Sequence, residues 1–213
     1  MLAGYPYESV AGGNIHVDEY VWFDAPWQRT HVTPARPRRL GVYPGSFDPP
    51  TVAHMEIALT ARSVHGLDRV DLAISLSALG KDRVSLPTFD ERLAVITASV
   101  AAVDGLGVIV TEHQLIADIA DGYDVVVMGA DKWQQINDLS WYAGPTERDA
   151  AIASLPDLAL APRAGFSVPD AHRLPVPAGL LDISSSAVRA GRTEWMTPQA
   201  RAHHDATGAW GHQ

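Results

Sequence analysis

From Leu40 onward the chain alternates between two hydrophobic rhythms. Short apolar runs stand at Leu40–Tyr43, Val70–Ser75, Gly107–Val110, Asp124–Met128 and Leu158–Leu160. A run such as Asp124-Val-Val-Val-Met128, with no polar alternation, is what a parallel strand covered on both faces shows. Between these runs, apolar residues recur three and four apart. His54–His65 places Ile57, Ala61 and Val64 on one side. Thr88-Phe-Asp-Glu91 is a capping box, and it predicts a helix through Ala101 with Leu93, Ile96 and Val100 inward. A short helix is predicted over Glu112–Ala120, and late ones over Ser184–Arg189 and Pro198–His204. This alternation predicts an α/β fold, a doubly wound parallel sheet of about five strands with helices on both faces. Such sheets bind ligands at the carboxyl ends of their strands, near the point where strand order reverses.

Residues 1–38 lack this rhythm. Tyr20-Val21-Trp22-Phe23 is aromatic, Gly12-Gly13-Asn14 is a turn signal, and Thr33–Arg39 reads as a linker. The pattern predicts an N-terminal arm (1–38), a β-hairpin plus linker, packed on a main domain (39–213). An independent domain of that length, with no metal or disulfide, would be marginal. Strand addition, a dimer contact and a lid all suit such an arm.

Composition narrows the function. A chain of 213 residues with 46% hydrophobic and 19% charged residues is globular and long enough for a real core. Cysteine is absent, which excludes disulfides, thiolate metal sites and cysteine nucleophiles. The net charge of −9 argues against a nucleic-acid groove or an anionic membrane surface as partner. No run reaches the roughly 18 apolar residues of a membrane span, and the N-terminus lacks a signal pattern. A soluble cytoplasmic protein is expected, with self-association left open. Lysine occurs only at Lys81 and Lys132.

Two segments carry candidate chemistry. In Gly41-Val-Tyr-Pro-Gly-Ser-Phe-Asp-Pro-Pro-Thr-Val-Ala-His54 a strand runs into a turn, and a helix starts near Thr51. Gly45 permits close approach of a ligand to the backbone. Free N–H groups at a helix start favour an anion. Thr51 and His54, three apart, share one side of the first turn and could cradle a phosphate. The plainer alternative is a connection whose His54 caps or packs locally. In Asp182-Ile-Ser-Ser-Ser-Ala-Val-Arg189, hydroxyls, backbone N–H groups and an arginine also suit phosphate oxygens. The plainer alternative there is a serine cap beside a solvated arginine. His54 and Ser184 are 130 residues apart, yet in a parallel sheet both turns can converge on one polyphosphate. His203-His204 reads as a solvated pair, and no metal site is expected.

These segments resemble the two signatures of the nucleotidyltransferase superfamily. Gly45-Ser-Phe-Asp-Pro-Pro-Thr-Val-Ala-His54 is similar to the first, which ends in His/Thr-x-Gly-His. Ile183-Ser-Ser-Ser-Ala-Val-Arg189 is similar to the second, Ile-Ser-Ser-Thr/Ser-x-x-Arg, in its adenylyltransferase form. The resemblance spans roughly Arg39 to Trp210 and implies a Rossmann-like sheet. The first motif resembles phosphopantetheine adenylyltransferase. The remainder is more similar to nicotinate or nicotinamide mononucleotide adenylyltransferase: Lys81 followed by Arg92, Val126-Val-Met-Gly-Ala-Asp131, Leu160-Ala-Pro-Arg163-Ala-Gly165 and Trp195-Met-Thr-Pro198. Trp141 stands slightly after that branch's tryptophan, and Trp133 fills an apolar slot.

The resemblance implies transfer of AMP from ATP, with Mg²⁺, to the 5′-phosphate of a mononucleotide. The implied catalytic set is His54, Thr51, Lys81 and Arg189. ATP would meet Gly45, Ser46, Phe47, His54, Gly129, Asp131, Arg163, Ile183, Ser184, Ser185, Ser186 and Arg189. The acceptor would meet Ser46, Phe47, Lys81, Arg92, Trp133 and Trp141. Three features depart from the pattern. Ala53 replaces the glycine of the first motif, Thr51 replaces its first histidine, and Leu76-Ser-Ala-Leu-Gly-Lys81 lacks a proline-histidine pair. Another phosphate acceptor, phosphopantetheine, or a nucleotide-binding protein without catalysis are the alternatives.

Overall fold

The computed structural model describes residues 15–16, 39–76, 87–101 and 103–211. Six strands appear in chain order: β1 (Ile15–His16), β2 (Leu40–Pro44), β3 (Arg69–Ser75), β4 (Leu106–Thr111), β5 (Val125–Gly129) and β6 (Asp157–Ala161). They form one sheet in the order β1-β4-β3-β2-β5-β6. Strands β2 to β6 are mutually parallel, and β1 runs antiparallel along β4. The helices are α1 (Val52–His65), α2 (Phe89–Val100), α3 (Ile116–Ile119), α4 (Ala130–Asn137), α5 (Pro145–Ala153), α6 (Ser185–Arg189) and α7 (Pro198–Thr207).

The continuous apolar strands are explained by two cores, one on each face. Val125 and Val127 of β5 belong to the first, together with Ala58 and Ala61 of α1 and Ile96 and Val100 of α2. Val126 and Met128 belong to the second, with Ile119 of α3 and Ala130 of α4. A third cluster, Val95, Val188, Met196, Ala200 and Trp210, ties α6 and α7 to α2. Among the described residues no helix is long and apolar enough to cross a membrane.

The structure corrects several local expectations. Helix α1 buries a stripe of small residues, Ala53, Ala58 and Ala61, whereas Val64 is 53% exposed. Small residues let that helix lie close against the sheet. The helix expected over Glu112–Ala120 is a single turn at Ile116–Ile119, and its N-cap position, Leu115, has no side chain that can cap. Helices α4 and α5 were not apparent in the pattern because they carry almost no buried face: Ala130 in α4 and none in α5. Of the arm, only β1 is described. The remainder of the expected hairpin and linker lies outside the described residues.

One charged group sits inside the sheet. Asp71 of β3 is fully buried. Its carboxylate is held by Arg69 Nε at 2.8 Å and by the Tyr123 hydroxyl at 3.1 Å. A buried carboxylate persists only when it is paired in this way. Gly107, its register neighbour on β4, has to be glycine, because a Cβ there would stand 2.4 Å from Asp71 Oδ1. Gly107→Ala is therefore expected to destabilise the fold by about 1–3 kcal/mol, measured by urea unfolding. An unchanged midpoint would show that the trio can shift freely.

Candidate functional site

Strand order reverses between β2 and β5: from β2 the chain winds outward to β3 and β4, and from β5 to β6. The segments leaving β2 (residues 45–51) and β5 (129–131) share the carboxyl edge at this reversal. Tyr43, Phe47 and His54 meet there edge to face, with ring centroids 5.1–6.0 Å apart. Phe47 is 2% exposed and left-handed, with φ 44°. That conformation is costly for a bulky side chain, so the turn is held by what surrounds it. Gly45 lies over the Phe47 ring, and a Cβ would approach it to 2.8 Å.

Thr51 is the N-cap of α1 and forms a reciprocal capping box with His54. The Thr51 N–H donates to His54 Nδ1 at 3.0 Å, and the His54 N–H donates to Thr51 Oγ1 at 3.3 Å. A backbone N–H can only donate, so Nδ1 accepts and the neutral ring carries its proton on Nε2. His54 therefore caps the helix and also keeps one N–H to offer. Burial, reinforced by the Arg163 guanidinium and opposed by Asp131, pushes its pKa down to about 4. The ring is an uncharged donor at neutral pH. Burial, with Asp131 adding, also pushes the Tyr43 hydroxyl up. Ala53, at the motif's glycine position, is 2% exposed, so protein already encloses its methyl.

Asp131 lies in the first turn of α4 and pairs with Arg163 at 2.9 Å. Gly129 makes room for it, since a Cβ there would meet Asp131 Oδ1 at 2.6 Å. Both charges act on the His54 ring.

The second motif docks directly on the first. Ser184 caps α6, accepting from the Ala187 N–H at 3.1 Å. The Ser185 hydroxyl donates to the Pro49 carbonyl at 2.7 Å. Arg189 donates to the Asp48 carbonyl, and its guanidinium stands 3.8 Å from the Asp48 carboxylate. It also donates to Ser186 Oγ at 3.3 Å. Ile183, half-buried, donates its N–H to the Leu180 carbonyl. From α2, Arg92 donates to the carbonyl of the exposed Ser46 at 3.3 Å.

The tryptophans stand apart from these hydrogen bonds. Trp133 packs on the second core, and Trp141, 48% exposed, lines a cleft with Leu115, Ile136 and Tyr142. Lys81 lies outside the described residues. Sequence reasoning did not single out Asp48, Tyr43 or Trp210. Asp48 stood inside the quoted motif, but nothing in the local pattern marked its carboxylate as a partner of the distant Arg189 and Trp210.

Known proteins are similar to this chain in sequence and in fold. A family model described as cytidylyltransferase-like matches residues 42–191. The chain is 28% identical over 189 residues to a probable nicotinate-nucleotide adenylyltransferase of Bordetella avium, covering 79% of this chain and 95% of that one. It is 36% identical to a phosphopantetheine adenylyltransferase of Sphingopyxis alaskensis, but over 43% of this chain and 52% of that one. In fold it is similar to the Plasmodium falciparum nicotinic acid mononucleotide adenylyltransferase complexed with NaAD, with TM-score 0.60, 16% identity, and coverage of 81% and 97% of the two chains.

The His54 environment fixes a sign for pH dependence. Its folded-state value near 4 lies below the ordinary 6.5, so the unfolded chain takes the proton first. As pH falls from 6.5 toward 4 this ring subtracts stability, and above 6.5 it has no effect. A ring-proton NMR titration should give a His54 midpoint well under 6.5; a midpoint at or above 6.5 would contradict the buried, neutral ring.

Proposed function

The chain belongs to the cytidylyltransferase-like family, and from that premise we propose that it moves AMP from ATP to the 5′-phosphate of nicotinate or nicotinamide mononucleotide. Pyrophosphate would leave and a dinucleotide would form, a step of NAD biosynthesis. One observation carries the reading: Ser185 and Arg189 bond to Pro49 and Asp48 across 136 and 141 residues, which makes the two motifs one site at the strand-order reversal. The breadth of the match to a nicotinate-nucleotide relative, against about half of the phosphopantetheine one, favours the mononucleotide acceptor.

The chemistry asks for positioning and charge neutralisation. The acceptor phosphate is already ionised near neutral pH, so no general base is needed. One of its oxygens attacks the α-phosphorus, the bond to the bridging oxygen breaks in line, and that oxygen leaves with pyrophosphate. In this reading His54 Nε2–H and Thr51 meet the α- and β-phosphates. Ser184, which keeps its O–H while capping, joins Ser185, Ser186 and Arg189 at the β- and γ-phosphates, and Ile183 and Gly129 lend backbone. Asp131 takes the ATP ribose, which would free Arg163 for phosphate. Lys81 would add a second positive charge. The N–H groups of Ser46 and Phe47, with Gly45 clearing the approach, would face the α-phosphate or the acceptor. Arg92, Trp133 and Trp141 would hold the acceptor. Among the described residues no group of three or more His, Asp or Glu forms a metal site. Mg²⁺ would thus arrive on the triphosphate, bound mostly by phosphate oxygens and water. A cytoplasmic setting, where ATP is supplied, belongs to the same reading.

The test is incubation with ATP and Mg²⁺ plus nicotinate mononucleotide, nicotinamide mononucleotide, phosphopantetheine or no acceptor, reading pyrophosphate and product mass. A dinucleotide from either of the first two is expected. Dephospho-coenzyme A would move the protein to the phosphopantetheine branch, and ATP binding without pyrophosphate release would make it a non-catalytic binder. In the active reaction His54→Ala should lower kcat on the order of 10²–10³-fold, as loss of a preorganised donor does. A fall below about threefold would remove His54 from that role.

A further inference from the structure

The C-terminal turn reaches back to the site. Helix α7 starts at the N-cap Thr197, whose N–H donates to the Pro50 carbonyl at 3.2 Å. It stops at the left-handed Gly208. Two residues on, Trp210 is itself left-handed, with φ 65°, and is 4% exposed. That backbone state is uncommon for a bulky residue. Here it aims the indole N–H at Asp48 Oδ1, 2.7 Å away in a buried setting. The other carboxylate oxygen of Asp48 faces Arg189. The tryptophan thus fixes the orientation of the one carboxylate that stands against the guanidinium of the second motif.

We propose that Trp210 is a positioning residue for ATP, acting through Asp48 to hold Arg189 where it meets the triphosphate. The proposal rests on the ATP-binding part of the function proposed above. A carboxylate that loses its indole donor is free to rotate, and it can then pair fully with Arg189 or leave it. Either movement displaces the guanidinium from phosphate. The competing role is purely structural: the indole also fills the cluster of Val95, Val188, Met196 and Ala200.

Trp210→Phe keeps an aromatic ring in that cluster and removes the donor together with part of the ring system, so melting temperature is read beside affinity. The substitution should raise the Kd for ATP by calorimetry, and the KM for ATP, by about 10- to 100-fold, the size of one lost hydrogen bond to a charged group. The acceptor KM should stay within about twofold. Asp48→Asn should weaken ATP in the same selective way, and adding Trp210→Phe to it should change ATP affinity by less than about twofold. A lower melting temperature with unchanged ATP affinity, or an undiminished Trp210→Phe effect in the Asp48→Asn protein, would overturn the proposal. If Trp210→Phe does not fold, Asp48→Asn alone decides: ATP affinity left unchanged overturns the relay. A wild-type protein that binds ATP but joins it to no mononucleotide defeats the acceptor assignment and leaves this test intact. A wild-type protein without ATP affinity overturns both.

Discussion

The turn between β2 and α1 cannot satisfy its own backbone. Asp48, Pro49 and Pro50 are buried, and the two prolines bring no N–H. A buried carbonyl left unpaired costs about 1–3 kcal/mol, so donors have to come from elsewhere. They come from distant parts of the chain: Arg189 to Asp48, Ser185 to Pro49, and the Thr197 N–H to Pro50. The left-handed Phe47 is held within the same enclosure. The turn is thus completed by the docking of α6 and of the start of α7.

The same docking concentrates cations in an acidic protein. The chain carries −9 overall, yet Arg92, Arg163 and Arg189 all reach the edge where strand order reverses. Two of the three are shared with carboxylates, Asp131 and Asp48. Without such partners, neighbouring guanidiniums would repel one another in a partly dry crevice. At its centre His54 stays neutral, because burial and Arg163 oppose a further positive charge. A ring that donates through Nε2–H without being charged can bind an anion and still release it.

Much of this was legible in the sequence. The five parallel strands followed from continuous apolar runs, since a strand covered on both faces has no polar side to alternate with. The capping box at Thr88 marked α2, and it is present as a hydrogen-bonded box. Helices α4 and α5 were not legible: α4 is only eight residues, with Trp133 and Ile136 half-buried against the second core, and α5 has no buried residue. For His54 the local capping alternative weighed from sequence is observed. Its Nδ1 serves the helix cap, and the capping bond is what assigns the remaining proton to Nε2. Asp48 and Trp210 were hidden for another reason. Their partnership spans 162 residues, and no local pattern records which side chains a left-handed turn at the far end of the chain will deliver.

The turn after β2 and the segment that carries Trp133 and Trp141 are held in different ways. Of the residues proposed for ATP, Gly45, Ser46, Phe47, Thr51 and His54 lie on that turn or at the start of α1, and Ser185 and Arg189 are hydrogen-bonded to it, whereas Asp131 and Arg163 pair with each other on the neighbouring segments. The residues assigned to the acceptor ring, Trp133 and Trp141, sit on or after a helix with one buried residue, and Trp141 is held in an open cleft. Trp133 packs on the second core and its carbonyl accepts from the Asn137 amide, while Tyr142, next to Trp141, donates to the Ile136 carbonyl. The similarity covers 79% of this chain for the nicotinate-nucleotide relative and 43% for the phosphopantetheine one, so the sequence shared with the former extends over more of the fold.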